Sequence, residues 1–263
     1  AAFSGKKHKR FKYFLKTKKA DFNLMHLTTY NIASPSSNNN NNNNNLLRGS
    51  RITTRTTVLG AIILQFADKN QGILDNMLSN YNGNSNGDYI VVQYNSENIE
   101  VVQVSTNLLG LTVSKNFTNT AQILLRHNAS ATDKFEMIKY IKRKKPQTIE
   151  PFYNASSNVV GYAISKSRSM ILHYILNYVG PECFLDKSFT AHIHGKEAAK
   201  FTLLDFAQQK DLKSVVDSVM FKLHSSKENL DTEIETAKKK FDTEIQVKPE
   251  PKILFSKRNK KVI

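Results

Sequence analysis

Apolar positions in this chain fall in pairs of short helical bursts separated by longer polar or β-branched stretches. The segment Asn107 to Ser130, NLLGLTVSKNFTNTAQILLRHNAS, aligns without a gap on Asn158 to Pro181, NVVGYAISKSRSMILHYILNYVGP. Each opens with an Asn suited to capping a helix, then sets Leu109, Thr112 and Val113, or Val160, Ala163 and Ile164, along one short helical face. A polar break at Lys115 to Asn119, or Lys166 to Ser169, precedes a second apolar run: Ala121, Ile123, Leu124 and Leu125, or Ile171, Leu172, Ile175 and Leu176. The pattern predicts a helical hairpin in each copy.

Two further copies fit the same template. Thr202 to Phe221 fits without a gap, and Thr57 to Leu78 fits with about three residues inserted between its helices. The capping position is then Thr57, Asn107, Asn158 and Thr202, each able to accept from an unpaired amide of the first helical turn. A cut fifth copy, running through Phe11 to Leu15 and Lys19 to Asn23, suggests that more chain lies upstream.

Between the copies lie three insertions, 81–106, 131–157 and 182–201. In the first, Tyr89 to Tyr94 and Ile99 to Val104 are β-branched runs around a polar turn, which predicts a β-hairpin finger. In the second, Lys134 to Lys142 reads as a helix, followed by the basic cluster Lys142, Arg143, Lys144 and Lys145 and a stop at Pro146. Near the start of the chain, Asn38 to Asn45 are eight consecutive Asn, and the stretch 31–52 around them is expected to be a disordered loop. Beyond the last copy, Ser225 and Glu228 have capping-box spacing, and Leu230, Ile234, Ala237, Phe241 and Ile245 recur at helical spacing. A C-terminal capping helix over 225–246 and a basic tail over 247–263 are expected.

The repeated segments resemble the ankyrin repeat, with Asn128-Ala129-Ser130 and Lys19-Ala20-Asp21 standing for its Gly-Ala-Asp ending. They depart from it at Gly60, Gly110, Gly161 and Asp205, where the family has His, and in lacking its Pro. The starts at 57, 107, 158 and 202 are 50, 51 and 44 residues apart, against about 33 in the family. The resemblance implies a mostly α chain: an ankyrin-like α-solenoid of helix-turn-helix repeats with a β-hairpin insertion and an Asn-rich disordered loop. In this division residues 1–30 form a partial repeat, and 53–224 hold the repeats at about 57–80, 107–130, 158–181 and 202–223.

The same resemblance implies a non-catalytic protein–protein interaction scaffold, a regulatory segment of a larger protein. Positions that the core pattern leaves free on the finger and the first helices are Gln103, Ser105, Thr106, Ser114, Lys115, Ser165 and Lys166.

Charge changes this picture by adding a rival. Lys and Arg number 38 against 22 Asp and Glu, a formal charge of +16, which favours polyanions such as nucleic acid or anionic lipid. Basic clusters at Lys6 to Arg10, Lys142 to Lys145 and Lys257 to Lys261 give that alternative its residues, and also read as import signals.

Candidate chemistry adds little. Cys183, His192 and His194 carry zinc-ligand chemistry at a spacing that matches no standard site, and His173 has no nearby carboxylate to orient it as a base. No metal, cofactor or catalytic residue is expected. The sequons at Asn116, Asn128 and Asn154 are expected to be unmodified. One cysteine and no long apolar run predict a reducing compartment, cytoplasmic or nuclear, and no membrane span.

Overall fold

The computed structural model describes residues 24–33, 49–66, 71–80, 84–95, 100–142, 149–185 and 188–247. The chain divides into two compact units, Ala1–Val219 and Met220–Ile263.

The first unit is a run of strand pairs, each followed by a helix pair. Strands β1 (Met25–Ala33), β2 (Gly49–Thr57), β3 (Asp88–Asn95), β4 (Glu100–Asn107), β5 (Lys134–Lys142), β6 (Ile149–Asn158), β7 (Ser188–Ile193) and β8 (Lys196–Thr202) form one antiparallel sheet in sequential order. After β2 come α1 (Val58–Phe66) and α2 (Gln71–Asn80). After β4 come α3 (Leu108–Lys115) and α4 (Thr118–Arg126). After β6 come α5 (Val159–Ser165) and α6 (Ser169–Tyr178). After β8 come α7 (Leu203–Gln209) and α8 (Lys213–Val247). The mostly α solenoid is therefore corrected: an eight-stranded open sheet is a full layer of the molecule.

The insertions supply that layer. The finger at 89–104 is present as β3 and β4, with Val91 opposite Val104. Lys134 to Lys142 is a strand, not the helix its pattern suggested. It carries aromatic and β-branched side chains and is held on both sides by ladders, Val104 with Met137 and Met137 with Ala155. Pro151 is accommodated beside a register shift between Lys139 and Tyr140. Strands β1 and β2 also claim both ends of the stretch read as an Asn-rich loop, whose residues 34–48 lie outside those described, as do the partial repeat's residues 1–23.

Burial shows why the sheet forms. Thr54, Thr56, Tyr89, Val104, Thr106, Phe135, Ala155, Ser157, Phe189 and Ala191 are the buried strand residues short of the strand ends, and the register puts all of them on one face. First helices stack on their equivalents, α3 against α5 and α5 against α7, and second helices do the same, α2 against α4 and α4 against α6. Leu108, Leu111, Leu124, Ile164, Ile171 and Leu172 fill the space between. The opposite face of the sheet is mixed, polar at Thr53, Arg55, Gln103 and Ser105 and apolar but only half-buried at Ile90, Val92 and Ile138.

Each even-numbered strand ends on the capping residue, so extended chain passes directly into helix. Asn107 Oδ1 accepts from Gly110 N at 3.0 Å, Asn158 Oδ1 from Gly161 N at 2.9 Å, Thr57 Oγ1 from Gly60 N at 3.2 Å and Thr202 Oγ1 from Asp205 N at 3.1 Å. The Gly at the third helical position has a steric cause. A Cβ on Gly60, Gly110 or Gly161 would run into the hydroxyl of Thr56, Thr106 or Ser157, the strand residue just before the cap. Nine residues after the cap, Asn116, Ser167 and Asp211 take left-handed conformations with φ of 58°, 53° and 55°. The next amides then bond back, Phe117 N to Thr112 O at 2.9 Å, Arg168 N to Ala163 O and Leu212 N to Ala207 O at 3.0 Å, closing each first helix.

The second unit is described through helix α8. The expected start at the Ser225–Glu228 capping box is corrected, because both residues lie inside one helix beginning at Lys213. No Gly or Pro interrupts Lys213 to Val247, so nothing restarts it.

Candidate functional site

The repeat template places a lysine eight residues after the cap in three copies: Lys115, Lys166 and Lys210. Each is exposed at the end of its first helix, where a cation also meets the negative end of the helix dipole. Four residues after the cap the third and fourth copies have aromatic rings. Lys166 Nζ lies 5.9 Å from the centroid of Tyr162, and Lys210 Nζ lies 5.7 Å from that of Phe206. Since equivalent helices stack, these lysines form a row across successive repeats.

The row is densest at the third repeat. Tyr162 stacks on Phe135 of β5 with centroids 4.1 Å apart and planes 10° from parallel. It is hydrogen-bonded to Ser114 of the preceding repeat, and its phenol is pushed up chiefly by burial. Arg168 reaches the same preceding repeat, donating from Nε to Val113 O at 3.2 Å. On the covered face of the sheet, Lys139 Nζ sits 5.6 Å from the centroid of Tyr153. Lys166 therefore stands among cations: its ammonium is depressed first by desolvation, then by the charges of Arg168 and Lys139. The arrangement holds two ammonium groups over aromatic rings, with the Arg168 guanidinium near Lys166, and would gain from an anion laid across them.

The structure divides the residues singled out from sequence. Lys115, Lys166, Ser114 and Ser165 fall at the ends of first helices. Ser114 serves Tyr162, and Ser165 Oγ donates to Tyr162 O at 2.7 Å. Gln103 and Ser105 lie on the other, open face of the sheet. Thr106 is corrected as a contact residue. It is 7% exposed, on the covered face, and its hydroxyl lies over Gly110. Lys142 closes β5, while Arg143, Lys144 and Lys145 lie outside the described residues, as do the other two basic clusters.

Lys139, Tyr153, Arg168 and Lys210 were missed. Lys210 was available by carrying the cap-plus-eight position into the fourth copy. Lys139 and Tyr153 needed the strand pairing that brings them opposite each other.

Away from the lysine row, a concavity of about 320 Å³ opens at the bases of β3, β4 and β5, lined by Asp88, Ile90, Ser105, Thr106, Asn107, Asp133, Lys134 and Glu136. Its carboxylates are partly engaged, Asp133 Oδ2 accepting from Asn107 Nδ2 at 3.0 Å and Glu136 lying 3.6 Å from Lys134 Nζ. Among the described residues no group of three or more His, Cys, Asp or Glu is placed to hold a metal ion. Cys183 is buried and donates to Gly180 O at 3.1 Å. Two of the three sequon asparagines, Asn116 and Asn128, occupy left-handed turn positions, a backbone reason for Asn there. No described helix is long and apolar enough to cross a membrane.

No family model matches the chain, and neither a curated protein nor a solved structure matches it.

Proposed function

We propose that this chain is a non-catalytic interaction scaffold that holds an acidic segment of a partner protein along its row of helix-end cations. The observation that supports this most is the third repeat. There Lys166 lies over Tyr162 and Lys139 over Tyr153, and the positive charges of Arg168 and Lys139 both act on the Lys166 ammonium. A regulatory role within a larger protein, in a reducing cytoplasmic or nuclear compartment, belongs to this reading.

A second reading, binding of nucleic acid, is favoured by the net charge of +16. Fluorescence anisotropy with a labelled oligoglutamate peptide and with a labelled single-stranded RNA separates the two. Tight peptide binding is expected, weakened roughly tenfold or more by Lys166→Glu, with weaker RNA binding. Preferential RNA binding weakened by the same substitution would support the second reading. Binding to neither at low ionic strength sinks both.

A further inference from the structure

Helix α8 continues to Val247, and from Met220 onward it is a unit by itself. None of its described side chains there is buried, and Met220 and Ile234 are 54% and 43% exposed. In proteins most helical stability comes from packing an apolar face against a neighbour. The sequence supplies such a face. Met220, Leu223, Lys227, Leu230, Ile234, Ala237, Phe241 and Glu244 follow one another at alternating steps of three and four, the spacing of a coiled-coil seam.

The two charged seam residues, Lys227 and Glu244, decide what fits against it. Parallel, in-register pairing with a second copy sets Lys227 against its own equivalent and Glu244 against its own, leaving like charges in the seam. Antiparallel pairing about a twofold between Glu235 and Thr236 does the reverse. It sets Lys227 opposite Glu244 of the second copy, Leu230 opposite Phe241 and Ile234 opposite Ala237. The flanking positions agree, Asp231 falling opposite Lys238 and Glu233 opposite Lys240.

We infer that residues 227–244 form an antiparallel two-stranded coiled coil with a second copy of this chain. The seam is self-complementary, as a twofold interface requires. The inference is independent of what the cationic row binds.

Sedimentation of the full 263-residue chain tests it. The wild type is expected to dimerise. Lys227→Glu and Glu244→Lys are each expected to raise the dimer dissociation constant roughly tenfold or more. The double variant Lys227→Glu/Glu244→Lys restores opposite charges across an antiparallel seam and is expected to regain the dimer. Circular dichroism of each variant checks that the repeats remain folded. A wild type that stays monomeric overturns the inference. So does a Lys227→Glu chain that dimerises as before, the result for parallel pairing, or a folded double variant no stronger than the singles.

Discussion

The third and fourth repeats start their first helices in two different ways. In the third, Asn158 is fully buried, caps Gly161 N and also donates from Nδ2 to Cys183 O at 3.3 Å, tying the helix start to the chain leaving α6. Gly161 lets the helix close onto Ser157, whose hydroxyl donates to Ser188 O at 3.2 Å. In the fourth, the cap is exposed: Thr202 caps Asp205 N and donates to the Asp205 carboxylate at 2.7 Å. The strand residue before it is Phe201, and the joint is filled by rings, Phe189 to Phe206 at 4.3 Å and Phe201 to Phe206 at 5.9 Å. One backbone turn is thus made by close approach inside the array and by aromatic packing at its last repeat. Polar ties suit positions with a neighbour on each side, and ring packing suits one that must fill its own space.

The sharpest way to break this comparison is at Gly161. A methyl there meets Ser157 and comes within 3.0 Å of Leu203 Cδ2. Gly161→Ala is expected to cost about 2–3 kcal/mol in urea unfolding, with partial recovery when Ser157→Ala is added. A cost below that of an ordinary surface substitution would show that strand and helix can separate freely.

The caps come next. Asn158→Ala removes a cap and a buried tie and is expected to cost about 2 kcal/mol, whereas Thr202→Ala should cost about 1 kcal/mol or less. Equal losses in the two would erase the distinction between the repeats.

The smallest effect is electrostatic. The folded pKa of Lys166 is lowered from its ordinary value of 10.5, so folding disfavours its charged form. The cost is complete below the folded pKa and is relieved as pH rises from there to 10.5. Lys166→Met should therefore stabilise the chain at neutral pH by a few tenths of a kcal/mol, discounted for solvent exposure. The difference should shrink in alkaline unfolding experiments while oligoglutamate affinity falls.

The helix pairs were legible because their information is local: a cap, a 3.6-residue period and a polar break lie within about two dozen residues. Asn107 and Asn158 show this most clearly, since both caps form as their spacing predicts. The sheet was mostly illegible for the opposite reason. Its covered face uses Thr54, Thr56, Thr106 and Ser157, which carry no apolar alternation, and the open-face positions of β2 and β6 include Arg51, Thr53, Arg55, Asn154 and Ser156, so these strands resemble loops. Lys134 to Lys142 misled because Phe135, Ile138 and Ile141 recur every third residue, a spacing that helix and strand both tolerate. The smaller part of the cationic site was legible, Lys115 and Lys166 through their place in the repeat. Lys139 and Tyr153 belong to it through pairing between strands, which a linear reading does not contain.

The sequential order of the eight strands has a consequence for how such a chain can change over generations. Each hairpin is bonded only to its neighbours in sequence, and each strand-to-helix joint is closed by residues of its own repeat or the next. A cap-to-cap segment can then be duplicated or lost in frame with little rewiring elsewhere, the array growing or shrinking by one rung. What must be kept at a free edge is protection against accidental pairing, and β8 meets that need with Lys196 and Lys200, both exposed. Length is thus a tunable property of this architecture, and the reach of its lysine row is tuned with it.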